Sequence, residues 1–406
     1  MTEVTFSLVC DFLCLGLSII FFWSTFVVLI GLVKPARVHP RASRRLRFAV
    51  LICARNEESV IRLPVKSIQM SKYPADCREI IVLADNCQDA TATRAREAGA
   101  EVWEKTDPSA GKGDVLSWGL RRLYERGGFD AVAVFDSDNI ISDRWFDAMN
   151  DALQDGETVV TGRRHSSNAR ANLISGWYTV YWDMMNELSN RVRTNLMLSG
   201  KLTGTGFAFL ASALGKDGWQ THTMVEDVEF TVLTNIAGRR VAYVQDADYA
   251  DEQPIDLHYM WRQLRRWTTG GWQVVRTYLF VWLKALLHRP SLRLFDSFFA
   301  ILTGISVAFI LLFNLLALFV RLGCGGWEAA DFRFFWGVFG FMMVMGWFTA
   351  WASVVLSPQK RRPSVWAIVT FPIFSLILSA AVLFTLVFPT KAWKPIPHSG
   401  YRQNHG

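Results

Sequence analysis

The chain has 406 residues, of which 51% are hydrophobic, and it contains 17 Trp and 29 Phe, more than a soluble protein usually carries. Its 43 basic and 36 acidic residues give a net charge of +7, which suits an anionic membrane face, a phosphate-bearing substrate or nucleic acid. The six cysteines form no Cys-x-x-Cys pair and have no regular spacing, so neither a disulfide framework nor a zinc site is indicated. A membrane protein with reduced thiols is expected.

The first predicted element is a membrane helix from Phe6 to Val33, which exceeds the roughly 20 residues needed to cross hydrocarbon. The segment is too long for a signal-peptide core and lacks a basic start. Basic residues follow it, and the positive-inside rule therefore places residue 34 onward in the cytoplasm and the N-terminus outside. These residues are Lys34, Arg37, Arg41, Arg44, Arg45 and Arg47.

Between about residues 48 and 250, short apolar runs alternate with longer helical patterns, which indicates an α/β sheet. The predicted strands are Phe48–Cys53, Glu79–Ala84, Ala131–Phe135 and Thr158–Thr161, and the predicted helices are Asp114–Glu125 and Arg144–Leu153. Ligands bind outside the carboxyl ends of the strands in such sheets. Polar clusters follow three of these strands and predict a site at that edge. They are residues 54–58, 85–89 and 136–138.

Two carboxylates, Asp136 and Asp138, come directly after the strand that begins at Ala131. Because side chains alternate along a strand, the two are expected to point the same way, and paired oxygen ligands suit Mg²⁺ or Mn²⁺ carrying substrate phosphates. A solvated turn is the alternative for this motif on its own. Lys112 lies between two glycines just before a helix. An anion-binding site at the helix N-terminus and a plain surface loop are equally good interpretations of this segment.

Three stretches follow within the same domain. Residues 172–198 form a Trp- and Tyr-rich helical pattern that either rests on the membrane or covers the site. The Gly-rich run 203–207 allows close approach of the backbone. Glu226 and Asp227 open an apparent helix, where the helix dipole favours acidic residues. Capping and general-base catalysis both remain open for Asp227.

The C-terminal third combines an interfacial pattern with further membrane segments. Residues 251–292 are cationic and aromatic, as expected for amphipathic helices on anionic headgroups. Helices at that location also allow Arg266 to bind a diphosphate and Trp267 to stack on a sugar. Three apolar segments long enough to span a membrane follow, at Leu294–Val320, Phe334–Leu356 and Val365–Phe388.

The side of the tail is ambiguous. With the N-terminus outside, a fourth crossing puts the tail outside. The tail nevertheless carries Lys391, Lys394 and Arg402, which favour the cytoplasm.

Taken in chain order, six motifs resemble those of the membrane-bound processive enzymes of glycosyltransferase family 2, which include cellulose, chitin, hyaluronan and poly-N-acetylglucosamine synthases. The motifs are residues 54–58, 85–89, 111–113, 136–138, 226–227 and 263–267, and they cover about residues 48–270. The Gln-x-x-Arg-Trp pattern of the last motif is the most discriminating. Two positions depart from the pattern, since Ala84 replaces an acid and Val225 replaces a threonine found in many relatives.

The resemblance implies an α/β, GT-A-like (Rossmann-related) catalytic domain together with an α-helical transmembrane region. The implied divisions are a transmembrane helix at 1–33, a cytosolic domain at 34–250, interfacial helices at 251–292, three transmembrane helices at 293–390 and a tail at 391–406. The implied location is the plasma (inner) membrane, with the catalytic domain in the cytoplasm.

The resemblance also implies roles for individual residues. Asp227 is the catalytic base, and Asp136 and Asp138 are the ligands of Mg²⁺ or Mn²⁺. The residues that bind the nucleotide-sugar are Asp85, Lys112, Asp136, Gln263 and Arg266. Those that bind the acceptor are Thr205, Gly206, Glu226 and Trp267.

The expected activity is inverting, metal-dependent transfer from a UDP-sugar to a growing β-linked polysaccharide, coupled to translocation across the bilayer. An alternative with the same chemistry is addition of a single sugar to a lipid, as in ceramide glucosyltransferases. A non-catalytic transporter or sensor is the alternative from another class, and the intact Asp138, Asp227 and Trp267 argue against it. The expected partners are thus a UDP-sugar, a glycan or lipid acceptor and the bilayer. No nucleic acid is expected, because the basic and aromatic patches flank membrane segments.

Overall fold

The computed structural model describes residues 3–214, 218–323, 329–359 and 362–391, so most of the predicted tail lies outside the described residues. The strands are β1 (Phe48–Ala54), β2 (Arg78–Asp85), β3 (Glu101–Lys105), β4 (Ala131–Asp136), β5 (Ile140–Ile141), β6 (Val159–Ser166), β7 (Phe207–Leu210) and β8 (Val241–Asp251). The helices up to the end of the sheet domain are α1 (Glu3–Val33), α2 (Arg62–Gln69), α3 (Thr91–Glu97), α4 (Lys112–Arg126), α5 (Trp145–Gln154), α6 (Leu173–Asp183), α7 (Val192–Asn195) and α8 (Glu226–Ile236). Those that follow are α9 (Leu257–His288), α10 (Leu292–Gly323), α11 (Ala329–Leu356), α12 (Val365–Val369) and α13 (Phe371–Val387).

The strands form one mixed sheet in the order β3-β2-β1-β4-β7-β6-β8-β5. The first four strands in this order are parallel, and β7 pairs antiparallel with both β4 and β6. In β1 the side chains of Val50 and Ile52 join the core on one face, and Ala49 and Leu51 join the core on the other. Burial on both faces explains why the parallel strands read as continuous apolar runs. The predicted α/β fold is confirmed, and the four predicted strands are β1, β2, β4 and the first half of β6.

Within the described residues, three helices are long and apolar enough to cross a membrane, namely α1, α10 and α11. The segment predicted as a last crossing at Val365–Phe388 is not one long helix. It is divided at Thr370 into α12 and α13, and α13 has only 17 residues. Pro372, near the start of α13, has no N–H to donate to a continuing helix, which explains the division. The prediction of three further long membrane helices is therefore corrected to two, followed by a short apolar helix.

A buried polar contact joins the membrane helices to the sheet domain. The Asp296 carboxylate in α10 accepts hydrogen bonds from Arg193 Nε at 2.9 Å and from Trp23 Nε1 at 3.1 Å. Asp296 is fully buried. Helices α1, α7 and α10 thus meet at one carboxylate whose charge is compensated.

The predicted helical stretch 172–198 consists of α6, a π-helix at Met184–Arg191 and α7 in direct succession. It packs between β6 on one side and α11 and α12 on the other. The stretch therefore covers the sheet domain and also contacts α11 and α12. The interfacial region, predicted as several helices, contains one 32-residue helix, α9.

Candidate functional site

A cavity of about 840 Å³ lies beyond the carboxyl ends of β1, β2 and β4 and extends towards α9, α10 and α13. The edge predicted from the polar strand ends is therefore the edge that carries the cavity. Nine predicted site residues line it: Asp85, Lys112, Asp136, Asp138, Glu226, Asp227, Gln263, Arg266 and Trp267.

Asp85 closes one end of the cavity, at the last residue of β2. Its buried carboxylate accepts hydrogen bonds from Ser109 Oγ at 2.6 and 2.8 Å and from Asn86 Nδ2 at 2.8 Å. Arg55 Nη1 lies 3.6 Å from the same carboxylate. These neighbours fix the orientation of an acceptor group that suits a ribose hydroxyl or a base N–H.

Lys112 lies at the first residue of α4, and its ammonium group contacts the other motifs of the site. Its Nζ donates to Asp136 Oδ1 and, at 2.7 Å, to the carbonyl of Gly204, and it lies 3.9 Å from Glu226 Oε1. Burial alone lowers the pKa of Lys112, but the Asp136 and Glu226 carboxylates outweigh burial and raise this pKa well above its usual value. Lys112 is therefore a permanent cation at the centre of the cavity.

Asp138 lies in the turn after β4, not on the strand. The expectation that strand alternation aligns it with Asp136 is therefore wrong, although both residues line the cavity. Asp138 Oδ2 accepts from the backbone N–H of Glu252 at 2.9 Å, and Oδ1 accepts from Asn139 Nδ2 at 3.2 Å. The turn, held by these contacts, brings both carboxylates to one cavity.

These two carboxylates fit a divalent cation that arrives with a diphosphate. Such a cation needs one or two protein carboxylates, because phosphate and water oxygens complete its coordination. Across the described ranges, no group of three or more His, Cys, Asp or Glu side chains is arranged to hold a metal by itself. Asp136 and Asp138 are thus suited to a shared ion rather than to a structural metal site.

The Asp227 carboxylate faces the cavity from the first turn of α8. Gly204 lies opposite it with φ of +90°, and a Cβ atom built there would be 3.9 Å from Asp227 Oδ2. Burial raises the pKa of Asp227, while the backbone N–H of Val228 and the cations Lys112 and Arg266 lower it, and the net direction is upward. The carboxylate thus benefits from the helix N-terminus and is also exposed to the cavity.

Glu226 lies beside Asp227 and is buried. Burial raises its pKa to about 7, with the charge of Asp227 adding to the effect and Lys112 opposing it. Because the charge of one carboxylate opposes ionisation of the other, Glu226 and Asp227 titrate as a pair.

Thr205 and Gly206, predicted to bind the acceptor, do not line the cavity. Thr205 is fully buried behind Asp136, and its Oγ1 accepts from the Asp136 N–H at 2.9 Å and contacts Asn139 Oδ1. Gly206 has φ of +64°, and a Cβ atom there would lie 2.2 Å from the Tyr249 ring. The role assigned to both is corrected, because Thr205 supports the Asp136 turn from behind and Gly206 packs against Tyr249.

Gln263, Arg266 and Trp267 lie on one face of α9 through their i, i+3 and i+4 spacing. Arg266 Nη1 donates to the carbonyl of Met224 at 3.3 Å. The Trp267 ring stacks on Tyr181 at a centroid distance of 5.9 Å and meets Trp182 edge-on at 5.7 Å. Aromatic neighbours thus fix the Trp267 indole at the cavity wall.

Among the cavity residues that the sequence analysis did not single out are Arg164, Trp182, Lys201 and Asp251. Arg164 pairs with Asp251, and its guanidinium lies 3.7 Å from the centroid of the Trp182 ring. Arg164 lies near the end of β6, beyond the shorter strand predicted at 158–161. Asp251 is the last residue of β8, a strand that the sequence analysis did not predict. Burial lowers the pKa of Lys201 to about 8, and nothing in the sequence around Lys201 singles it out.

Comparison with known proteins identifies the family. Residues 45–270, more than half of the chain, match the model of the glycosyltransferase like family 2. A probable glycosyltransferase, YdaM, of Bacillus subtilis (strain 168) is 29% identical over 265 residues, which cover 62% of each chain. A poly-beta-1,6-N-acetyl-D-glucosamine synthase of Staphylococcus aureus is 23% identical over 62% of this chain and 61% of its own. A beta-monoglucosyldiacylglycerol synthase of Nostoc sp. is 25% identical over 60% of this chain and 52% of its own.

The chain thus matches between about half and two thirds of the length of these curated relatives. Among solved structures, the mannosyltransferase PcManGT from Pyrobaculum calidifontis, in complex with GDP-Man and Mn²⁺, has a TM-score of 0.65 at 15% identity. The match covers 96% of this chain and 100% of that one, and it shows a shared fold. By its family match and its GT-A-like sheet domain, the protein belongs to family 2 of the glycosyltransferases.

Proposed function

We propose that the protein transfers a sugar from a UDP-sugar to an acceptor hydroxyl, with inversion at the anomeric carbon and with Mg²⁺ or Mn²⁺. The observation that carries this proposal is the placement of Asp227 in the same cavity as Lys112 and Asp136, with Gly204 next to both Lys112 and Asp227. A base, a cation and an acidic turn suited to a diphosphate thus surround one volume.

In this mechanism Asp227 accepts the proton of the acceptor hydroxyl as that oxygen attacks the anomeric carbon. The raised pKa of Asp227 makes the carboxylate a stronger base than an exposed aspartate. A single displacement with one base inverts the configuration, so an α-linked donor gives a β-linked product. Trp267 provides an aromatic face on which the acceptor end stacks.

The departing diphosphate carries the negative charge that develops in the transition state. Lys112 and Arg266 are fixed cations on this side of the cavity, and they stabilise that charge without rearranging. The divalent cation held by Asp136 and Asp138 supplies further charge neutralisation when it is bound. Asp85 orients the nucleoside.

For the acceptor, the polysaccharide expected from the sequence and a lipid that receives one sugar require the same chemistry. Relatives of both kinds are similar to the chain. The membrane end of the cavity is apolar, and this favours the lipid. Location in the plasma (inner) membrane with the sheet domain in the cytoplasm is proposed from the basic residues that follow α1.

The test is incubation of the purified protein with a panel of UDP-sugars and Mg²⁺ or Mn²⁺, followed by measurement of released UDP and of product mass. Release of UDP from one donor, and its loss in EDTA, are expected. Absence of UDP release with every donor, or full activity in EDTA, would contradict the proposal.

A further inference from the structure

The cavity continues past Trp267 into a space between three helices, here called the membrane cleft. Its walls are formed by α9, α10 and α13. They are lined by Gly271, Trp272, Ile301, Gly304, Ile305, Leu378 and Val382. The cleft is continuous with the volume that contains Asp227, so one molecule is able to occupy both.

The membrane cleft offers almost no hydrogen-bonding groups. Among the seven lining residues, the polar side-chain atom is Trp272 Nε1, which donates to the carbonyl of Val382 at 3.0 Å. Gln273, the next cavity residue of α9, accepts the backbone N–H of Met224 on its Oε1 at 2.9 Å. Thr268, at the entrance, directs its hydroxyl to the carbonyl of Leu264 at 2.9 Å. A glycan placed here would leave its hydroxyls without partners, and each unpaired hydroxyl costs about 1–3 kcal/mol in a protein interior. Hydrocarbon carries no such cost.

The cleft lies near the domain-facing end of a candidate membrane span. The buried Asp296–Arg193 pair marks the contact of α10 with the sheet domain. Ile301 follows Asp296 by five positions, which is about 7.5 Å along a helix. Ile301, Gly304 and Ile305 therefore lie within the candidate membrane span 292–322, near its domain-facing end.

Two glycines make the membrane cleft wide. A Cβ atom built on Gly271 or on Gly304 meets nothing within 4 Å. Gly304 is exposed at the surface of the described residues, so the cleft opens sideways from α10. An apolar, laterally open space at this depth admits a chain from the bilayer.

We infer that the acceptor is a membrane lipid, with its hydrocarbon chain in the membrane cleft and its headgroup hydroxyl beside Asp227. This inference rests on the proposed function, because it names the acceptor of the same reaction. It replaces the growing polysaccharide as the favoured acceptor.

The experiment fills the cleft without disturbing the donor site. Gly304→Phe places a large side chain where the structure leaves open space, and it removes a helix-weakening glycine. Leu378→Trp fills the cleft from α13. The matched control is Gly337→Phe in α11, where a Cβ atom also meets nothing within 4 Å and which lies outside the cavity lining.

Full-length variants in nanodiscs of bacterial polar lipid extract are given the labelled UDP-sugar that the wild type hydrolyses. Wild type and Gly337→Phe are expected to move label into the organic phase. Gly304→Phe and Leu378→Trp should lower that transfer at least tenfold while UDP affinity and donor hydrolysis by water stay within twofold.

The inference is overturned if the wild type places label only in water-soluble chains, or if Gly304→Phe labels lipid at the wild-type rate. Failure of the proposed function has a different signature, since the wild type would then release no UDP from any donor.

Discussion

Asp227 is the residue on which the proposed chemistry depends most directly. Asp227→Asn keeps nearly the same size and removes the proton acceptor, so we expect transfer to fall by at least ~10², the lower figure for general-base catalysis. UDP affinity should change only a few-fold, because the base acts on the acceptor. Calorimetry with UDP, paired with UDP release during turnover, measures both. Near-normal transfer by this variant would move the base to another residue, with Glu226 the first to examine.

The pH dependence of the reaction should report the pair formed by Glu226 and Asp227. Because burial raises both pKa values, that of Glu226 to about 7, protonation removes the base at higher pH than for exposed carboxylates, so activity should rise with pH on the acid side of the profile. Glu226→Gln removes one negative neighbour, and Asp227 should then ionise at lower pH. The acid limb of the kcat profile is therefore expected to move to lower pH in this variant. A limb that stays in place or moves upward would show that the two groups do not titrate together.

Thr205 shows how much of the site the sequence could reveal. Strand ends, the helix start at Glu226 and the i, i+3, i+4 spacing in α9 are local patterns, and nine of the residues predicted for the site line the cavity. Thr205 lies in an equally suggestive Gly-rich run, but whether its side chain points into the cavity or behind Asp136 depends on the antiparallel strand β7. Sequence spacing does not contain that information.

At the scale of elements, the Asp296–Arg193 pair should determine how firmly α10 is attached to the sheet domain. Removing one partner of a buried pair leaves the other uncompensated and typically costs about 3–5 kcal/mol. Asp296→Asn should therefore lower the thermal midpoint of the detergent-solubilised protein clearly. Asp11→Asn is the control, since Asp11 pairs with Arg321 at 3.1 Å with 45% of its side chain exposed. Equal effects of the two substitutions would contradict this assignment.

The sequence predicted α13 less well than the strands. Its apolar run is long enough for a crossing, and hydropathy alone does not register the break at Thr370. Contacts explain the outcome. Trp177 Nε1 donates to Thr370 Oγ1 at 2.9 Å, and the Phe374 ring lies 5.5 Å from that of Tyr178, so the start of α13 is held against α6.

At the scale of the whole molecule, these contacts bear on how α13 meets the membrane. The end of α13 is also held near the sheet domain, because Arg265 Nη2 donates to the carbonyl of Phe388 at 3.1 Å and the N–H of Thr390 donates to Thr269 Oγ1 at 3.0 Å. Lys391 lines the same cavity as Asp227. We therefore propose that α13 lies along the membrane surface, and that the chain crosses three times.

This topology places the tail on the cytoplasmic side, in agreement with its basic residues. A C-terminal green fluorescent protein should fluoresce, and a C-terminal alkaline phosphatase should be inactive. Ser43→Cys in a cysteine-free variant should react with an impermeant reagent only after permeabilisation. An active phosphatase fusion would show that the tail lies outside and that the chain crosses the membrane a fourth time.

The π-helix at Met184–Arg191 makes the geometry of the site sensitive to the number of residues in this segment. A π-turn accommodates an extra residue inside a helix, so deleting one residue there should restore regular α-helical winding and leave the flanking segments in phase. Inserting one more residue should instead rotate everything downstream by about 100°. Arg193 would then turn away from Asp296, and Asn190 would lose its bonds to the backbone of Lys201. Point substitutions in this segment change one contact at a time, whereas a single insertion would change the membrane attachment and the cavity wall together. Between residues 184 and 191 a deletion should therefore be tolerated better than an insertion.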